Sequence, residues 1–151
     1  MLKKVFFSSA RIALGIAIFF APFMASCAKH VSHPGTANAF DSDAYDTLLV
    51  AHSVIETTKT DLVNGSFPAG IAGNVARALS GLVRGYNVLE QIYCGNQVQG
   101  PQGGLQCAPD SYHSAAMAGT ATSGQSAAVQ NAVSDVNTAL TAVSTAKGAK
   151  P

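Results

Sequence analysis

Apolar and polar positions are distributed along this chain in two different ways. Residues 12–28 carry no charge at all, seventeen positions reading "IALGIAIFFAPFMASCA" behind the basic "MLKK" and Arg11. From residue 41 onward the apolar residues instead recur in steps of three and four, the period of an amphipathic helix. Tyr45, Leu48, Leu49, His52, Ile55, Lys59 and Leu62 share one face of a first helix, about 42–63, with Asp41 or Ser42 as its cap and Asp43 and Asp46 in its positive first turn. "NGSFP" ends it, because Asn64 and Gly65 suit a left-handed exit and Pro68 cannot continue the helix.

A second helix, about 68–93, carries Ile71, Val75, Ala78, Leu79, Leu82, Tyr86, Leu89 and Ile92 or Tyr93 on one side. Gly70, Gly73, Gly81 and Gly85 lie inside it. Each costs about 1 kcal/mol relative to Ala, so their presence predicts close approach by another helix. A third helix, about 124–147, shows the most regular seam: Val129, Val133, Val136, Leu140 and Val143, with Ala, Ser, Thr, Asn and Gln on its other faces. Such a seam suits a helix facing two antiparallel neighbours. The segment "APDSYHSAAMAGTATSG" between the second and third helices reads as irregular or weakly helical. The fold expected is therefore all-α, an up-down-up three-helix bundle over 41–148. The 151 residues have room for one core of that kind.

The uncharged N-terminal run falls short of the ~20 residues a membrane-crossing helix needs, is interrupted by Pro22, and ends in small residues. That layout predicts an export signal over 1–26, with an uncleaved anchor as the competing reading. Met24, Ala25, Ser26 and Cys27 resemble the lipobox of bacterial lipoprotein precursors, with Met24 where Leu is usual. The resemblance implies cleavage before Cys27, diacylglycerol on its sulfur and an acylated amino terminus. It also implies anchorage in a membrane, because several chains hold firmly where a single one holds only reversibly. Ala28, rather than Asp, after Cys27 resembles the pattern that sends lipoproteins to the periplasmic face of the outer membrane. A competing cut after Ala39 has the small-x-small spacing of Ala37 and Ala39, but lies well beyond the apolar run. Residues 27–40 contain Pro34 and Gly35 and no apolar period, and read as a lipidated Cys followed by a flexible tether.

Charge changes the picture once the signal is set aside. The formal net charge is +1, but Lys3, Lys4 and Arg11 belong to the signal, leaving six basic and eight acidic residues. No basic face remains with which to displace counterions from phosphates, and nucleic acid is not expected as a partner.

Three cysteines is an odd number. With Cys27 acylated, Cys94 and Cys107 are left to each other, enclosing the polar loop "GNQVQGPQGGLQ". Export favours a disulfide between them, since such bonds persist in oxidising compartments. A metal site is the weaker reading, because the pair lacks the close spacing and further ligands that zinc takes.

The remaining chemistry is sparse. His30 and His33 stand three apart, but Pro34 opposes a helix there. His52 sits on the apolar stripe of the first helix, and His113 follows Tyr112 with no identifiable partner. The acidic residues occur in solvated or capping arrangements, and "GPQGG" neither follows a strand nor opens a helix, so no phosphate cradle is indicated. No nucleophile elbow, kinase set or zinc-protease helix is present. The sequence thus predicts no catalysis and no cofactor. It predicts a lipid-anchored bundle with a structural or interaction role, through an envelope protein partner or self-association by the small-residue faces. The alternative is a small-ligand or metal site between helices, built from His52, Tyr45 and Tyr86, with His113 as a further contributor. Residues 40–59 and 69–93 also resemble small helical proteins of bacterial envelopes and phages, a likeness that implies fold and no activity.

Overall fold

The first helix begins at Asn38, whose side chain accepts a hydrogen bond from the backbone N–H of Asp41 at 2.9 Å. In this computed structural model, residues 35–95, 98–99 and 105–149 are described. They belong to the unit Ser32–Pro151. The expected signal, Cys27, His30, His33 and the tether as far as residue 34 lie outside the described residues.

Helix α1 (Ala39–Val63) therefore starts before Asp41, correcting the expectation that Asp41 or Ser42 is its cap. Asp41 takes the third helical position instead, where Oδ2 accepts from the N–H of Ala37 at 2.7 Å. The cap and the carboxylate thus each satisfy a backbone donor at the helix entrance, as in a capping box. At the exit, Gly65 adopts φ 66° and donates to Leu62 while Ser66 donates to Asp61, a Schellman ending.

The buried face of α1 runs through Ala44, Leu48, Ala51, Ile55 and Thr58. It lies about one position back from the expected stripe. Leu48 and Ile55 keep their places, but His52 and Lys59 are exposed and Leu49 is half-exposed. Alanine carries the difference, since Ala44 and Ala51 face the neighbouring helices and allow close contact without adding apolar bulk to the pattern.

Helix α2 (Ala69–Tyr93) buries Ile71, Val75, Leu79, Leu82, Leu89 and Tyr93, with Ala78, Tyr86 and Ile92 partly buried against the same core. Among the described residues, only Gly85 of its four interior glycines meets another helix: a Cβ there would stand 3.5 Å from Cγ2 of Val136. A Cβ at Gly70, Gly73 or Gly81 would meet nothing within 4 Å among the described residues, so close packing there does not account for those three.

Past α2, Gly95 at φ 73° turns the chain, and a Cβ on it would come within 2.7 Å of the Ala108 Cβ. The two ends of the loop are that close. A short antiparallel ladder joins β1 (Val98–Gln99) to β2 (Leu105–Gln106) in the register Val98 to Gln106. The Cys94–Cys107 disulfide closes the loop at a Cα separation of 4.4 Å.

Where irregular or weakly helical chain was expected, α3 (Tyr112–Met117) forms a short helix. Ser111 caps it by accepting from Ser114, and Tyr112 and Ala116, one turn apart, both face the core. Helix α4 (Ser123–Gly148) opens on a full capping box between Thr122 and Gln125. Val129, Val136 and Val143 are buried as expected, joined by Ala132, while Val133 and Leu140 flank the seam partly buried.

The three long helices pack on one another, α2 most extensively along α4. All-α is the fold class, with the two-residue ladder confined to the disulfide loop.

Candidate functional site

The most elaborate side-chain cluster lies where the start of α1, the end of α2 and α3 meet. Asp41 is wholly buried, and helix geometry alone would leave its carboxylate beside the first turn of α1. The short helix α3 brings His113 to it: Nδ1 lies 3.1 Å from Oδ1 and 3.2 Å from Oδ2. An ionised carboxylate offers only acceptors, so the tautomer that bonds to it is the one with its hydrogen on Nδ1. Tyr93, at the end of α2, donates its hydroxyl to the main-chain oxygen of Asp41 at 3.3 Å, and that hydroxyl also lies 3.2 Å from His113 Nδ1. The rings of Tyr93 and His113 are 5.4 Å apart, and Tyr112 packs on both Tyr93 and Phe40.

Burial of the Tyr93 phenol, with the charge of Asp41 beside it, holds its pKa well above the ordinary tyrosine value. Burial likewise raises Tyr112, against a hydrogen bond from Ser126 that lowers it. Chemically the cluster resembles the buried Asp–His portion of a hydrolytic site. Apart from the Ala37 N–H on Asp41 Oδ2, however, its hydrogen bonds join the two helix ends and α3 to one another. Asp41, Tyr93 and His113 therefore act as a latch across three elements.

The expected ligand-site residues do not all come together. His52 is exposed on α1, its ring 6.1 Å from the half-buried ring of Tyr86. Tyr86 donates to Glu90 Oε1 at 3.2 Å, and burial together with that carboxylate pushes its phenol up to about 12. His113 belongs to the latch around Tyr93, two turns further along α2. Tyr45 lies near enough to influence the Tyr93 phenol. His113 has partners that sequence reasoning did not identify. Asp41 is 72 positions away in the chain, and no local motif links the two.

Among the described residues, no group of three or more His, Cys, Asp and Glu side chains is placed to hold a metal ion. Two surface features remain. An open polar cleft beside the disulfide is lined by Gln91, Asp110, Ser111, Tyr112 and Gln125 among others. A groove of about 280 Å³ runs between α2 and α4, lined by Gly81, Arg84, Gly85, Val88, Ala132 and Asp135.

No protein-family model, curated protein or solved structure matches this chain.

The site is thus defined by its own geometry. At the end of the helices away from the latch, Lys147 Nζ lies 3.0 Å from Asp61 Oδ2 and 5.7 Å from the centre of the Phe67 ring. The end of α4 is thereby tied to the end of α1 and to the α1–α2 turn.

Proposed function

We propose that this chain is an exported lipoprotein, anchored through acyl groups on Cys27, whose helical domain has a structural or protein-interaction role in the cell envelope and performs no catalysis. The observation that carries the reading is the Cys94–Cys107 bridge. Disulfides persist where export delivers a chain, and are rare in reducing compartments. With those two thiols joined, Cys27 is the odd cysteine, and it stands where the lipobox resemblance puts the modified residue.

The domain is read as an up-down-up bundle of α1, α2 and α4. Support comes from both ends: Tyr93 at the end of α2 meets Asp41 at the start of α1, and Lys147 near the end of α4 meets Asp61 near the end of α1. Residues 27–40 are the tether between lipid and bundle. No helix among the described residues is long and apolar enough to cross a membrane. Ala28 favours the periplasmic face of the outer membrane. A non-catalytic role is supported by the latch, where His113 and Asp41 hold elements of the fold together.

The experiment is labelling with a fatty-acid precursor in a bacterial host. Label should enter the wild-type chain and be lost in Cys27→Ser, which should accumulate unprocessed or be released; equal labelling of that variant would refute the assignment. A small-ligand or metal site is the second reading, favoured by the proximity of His52 and Tyr86. Native mass spectrometry that found a retained ligand or ion lost on His52→Ala would support it instead.

A further inference from the structure

We infer that the groove between α2 and α4 is a self-association surface whose occupant is a second copy of this chain, with Arg84 of each copy facing the partner's Asp135. This deepens the interaction role proposed above and rests on it. The floor of the groove is low because Gly81, Gly85 and Ala132 line it, and Val88, half-exposed, stands on its lip. Arg84 and Asp135 are exposed on opposite walls, and among the described residues neither makes a hydrogen bond or ion pair.

Their heights along the bundle are fixed by a neighbouring contact. Gly85 lies directly against Val136, so Arg84 and Asp135, one position before each on helices that run in opposite directions, stand about 3 Å apart in height, a step their side chains span. That arrangement selects one symmetry. A two-fold axis parallel to the helices sets α2 of one copy against α4 of the other without changing heights, which brings Arg84 to the partner's Asp135 and Asp135 to the partner's Arg84. A two-fold axis across the helices would set α2 on α2 and α4 on α4, opposing like charges. The interface is self-complementary only in the first case, as an isologous dimer requires. The two reciprocal pairs supply register and partner choice, while Val88 packing over the small residues supplies apolar contact.

The test uses the full chain, extracted from its membrane in mild detergent and followed by sedimentation over a range of concentrations. Wild type should be dimeric. Arg84→Glu and Asp135→Arg should each weaken the dimer by at least about tenfold, since each puts two like-charge pairs in the interface. The double charge swap should restore it, which mere sharing of a micelle would not do. Circular dichroism checks that the helices survive. If a reversal unfolds the chain, Val88→Lys gives the independent reading, again a weakened dimer. A monomer at every concentration, single reversals without effect in folded protein, or a groove that crosslinks only to a different protein would overturn the inference. The acyl mass on Cys27, read from the same sample, keeps the two proposals separable: an acylated monomer contradicts only the dimer, and an unacylated dimer contradicts only the anchor.

Discussion

Nδ1 of His113 lies 3.1 Å from Oδ1 of Asp41, across 72 positions of sequence. The contact joins a helix of six residues to the first turn of a helix of 25, and from a third element Tyr93 donates to the main-chain oxygen of Asp41 and lies 3.2 Å from His113 Nδ1. A buried carboxylate with that many partners is costly to disturb, because each partner left behind is itself desolvated.

Asp41→Ala and His113→Ala should therefore each lower unfolding stability by about 1–3 kcal/mol. The double variant should cost less than the two losses added, with a coupling of about 0.5 kcal/mol or more. Denaturant unfolding of the four proteins measures this, and strict additivity would mean that the pair contributes only through separate contacts. The cycle also cancels the loss of the Ala37 bond to Asp41, which both Asp41 variants share.

Alkaline pH should destabilise the fold through its tyrosines. Tyr86, raised from 10.0 to about 12, and Tyr93, raised further, are neutral in the folded chain at pH values where the unfolded chain has lost those protons. The unfolded state then binds fewer protons, so stability falls as pH rises. The contribution of Tyr86 is full below pH 10 and is lost as pH rises through about 12. Ultraviolet titration should show delayed ionisation of these tyrosines in the native protein, and Tyr93→Phe should flatten the alkaline stability loss. Four tyrosines ionising together at their ordinary pH would contradict the burial described.

Much of this fold is legible in the sequence, and the exceptions have physical causes. The face of α2 follows the spacing of its large aliphatic residues, because those residues are the core. On α1 the same reasoning misplaces the stripe by about one position. Ala44, Ala51 and Thr58 do the packing there, and small side chains carry little weight in a hydrophobic pattern. The glycines of α2 mislead for a related reason: a close approach needs a partner at that height, and only Gly85 has one, in Val136. Helix α3 is too short for periodicity to reveal. The Cys94–Cys107 pair is the one expected from the sequence, there on the premise that Cys27 is acylated. The Asp41–His113–Tyr93 latch is not, since its members are scattered over three elements and each reads locally as something ordinary: an acid at a helix start, a histidine of the irregular segment, an aromatic on a helix stripe.

Thr58 presents the opposite case to the latch. It is fully buried on α1, and among the described residues its Oγ1 has no hydrogen-bond partner. Thr58→Val keeps the shape and the β-branch while removing the unsatisfied hydroxyl, and should raise stability by about 1 kcal/mol. Thermal unfolding of the variant checks it; a lower midpoint would mean that the hydroxyl is satisfied in solution.

The anchor is the central claim, and the intact mass of the mature chain recovered from the membrane tests it most directly. The account predicts a polypeptide beginning at Cys27, heavier than its residues by two or three acyl chains and lighter by two hydrogens for the Cys94–Cys107 bond. A mature chain that begins at another residue, or that begins at Cys27 with no acyl mass, would contradict it.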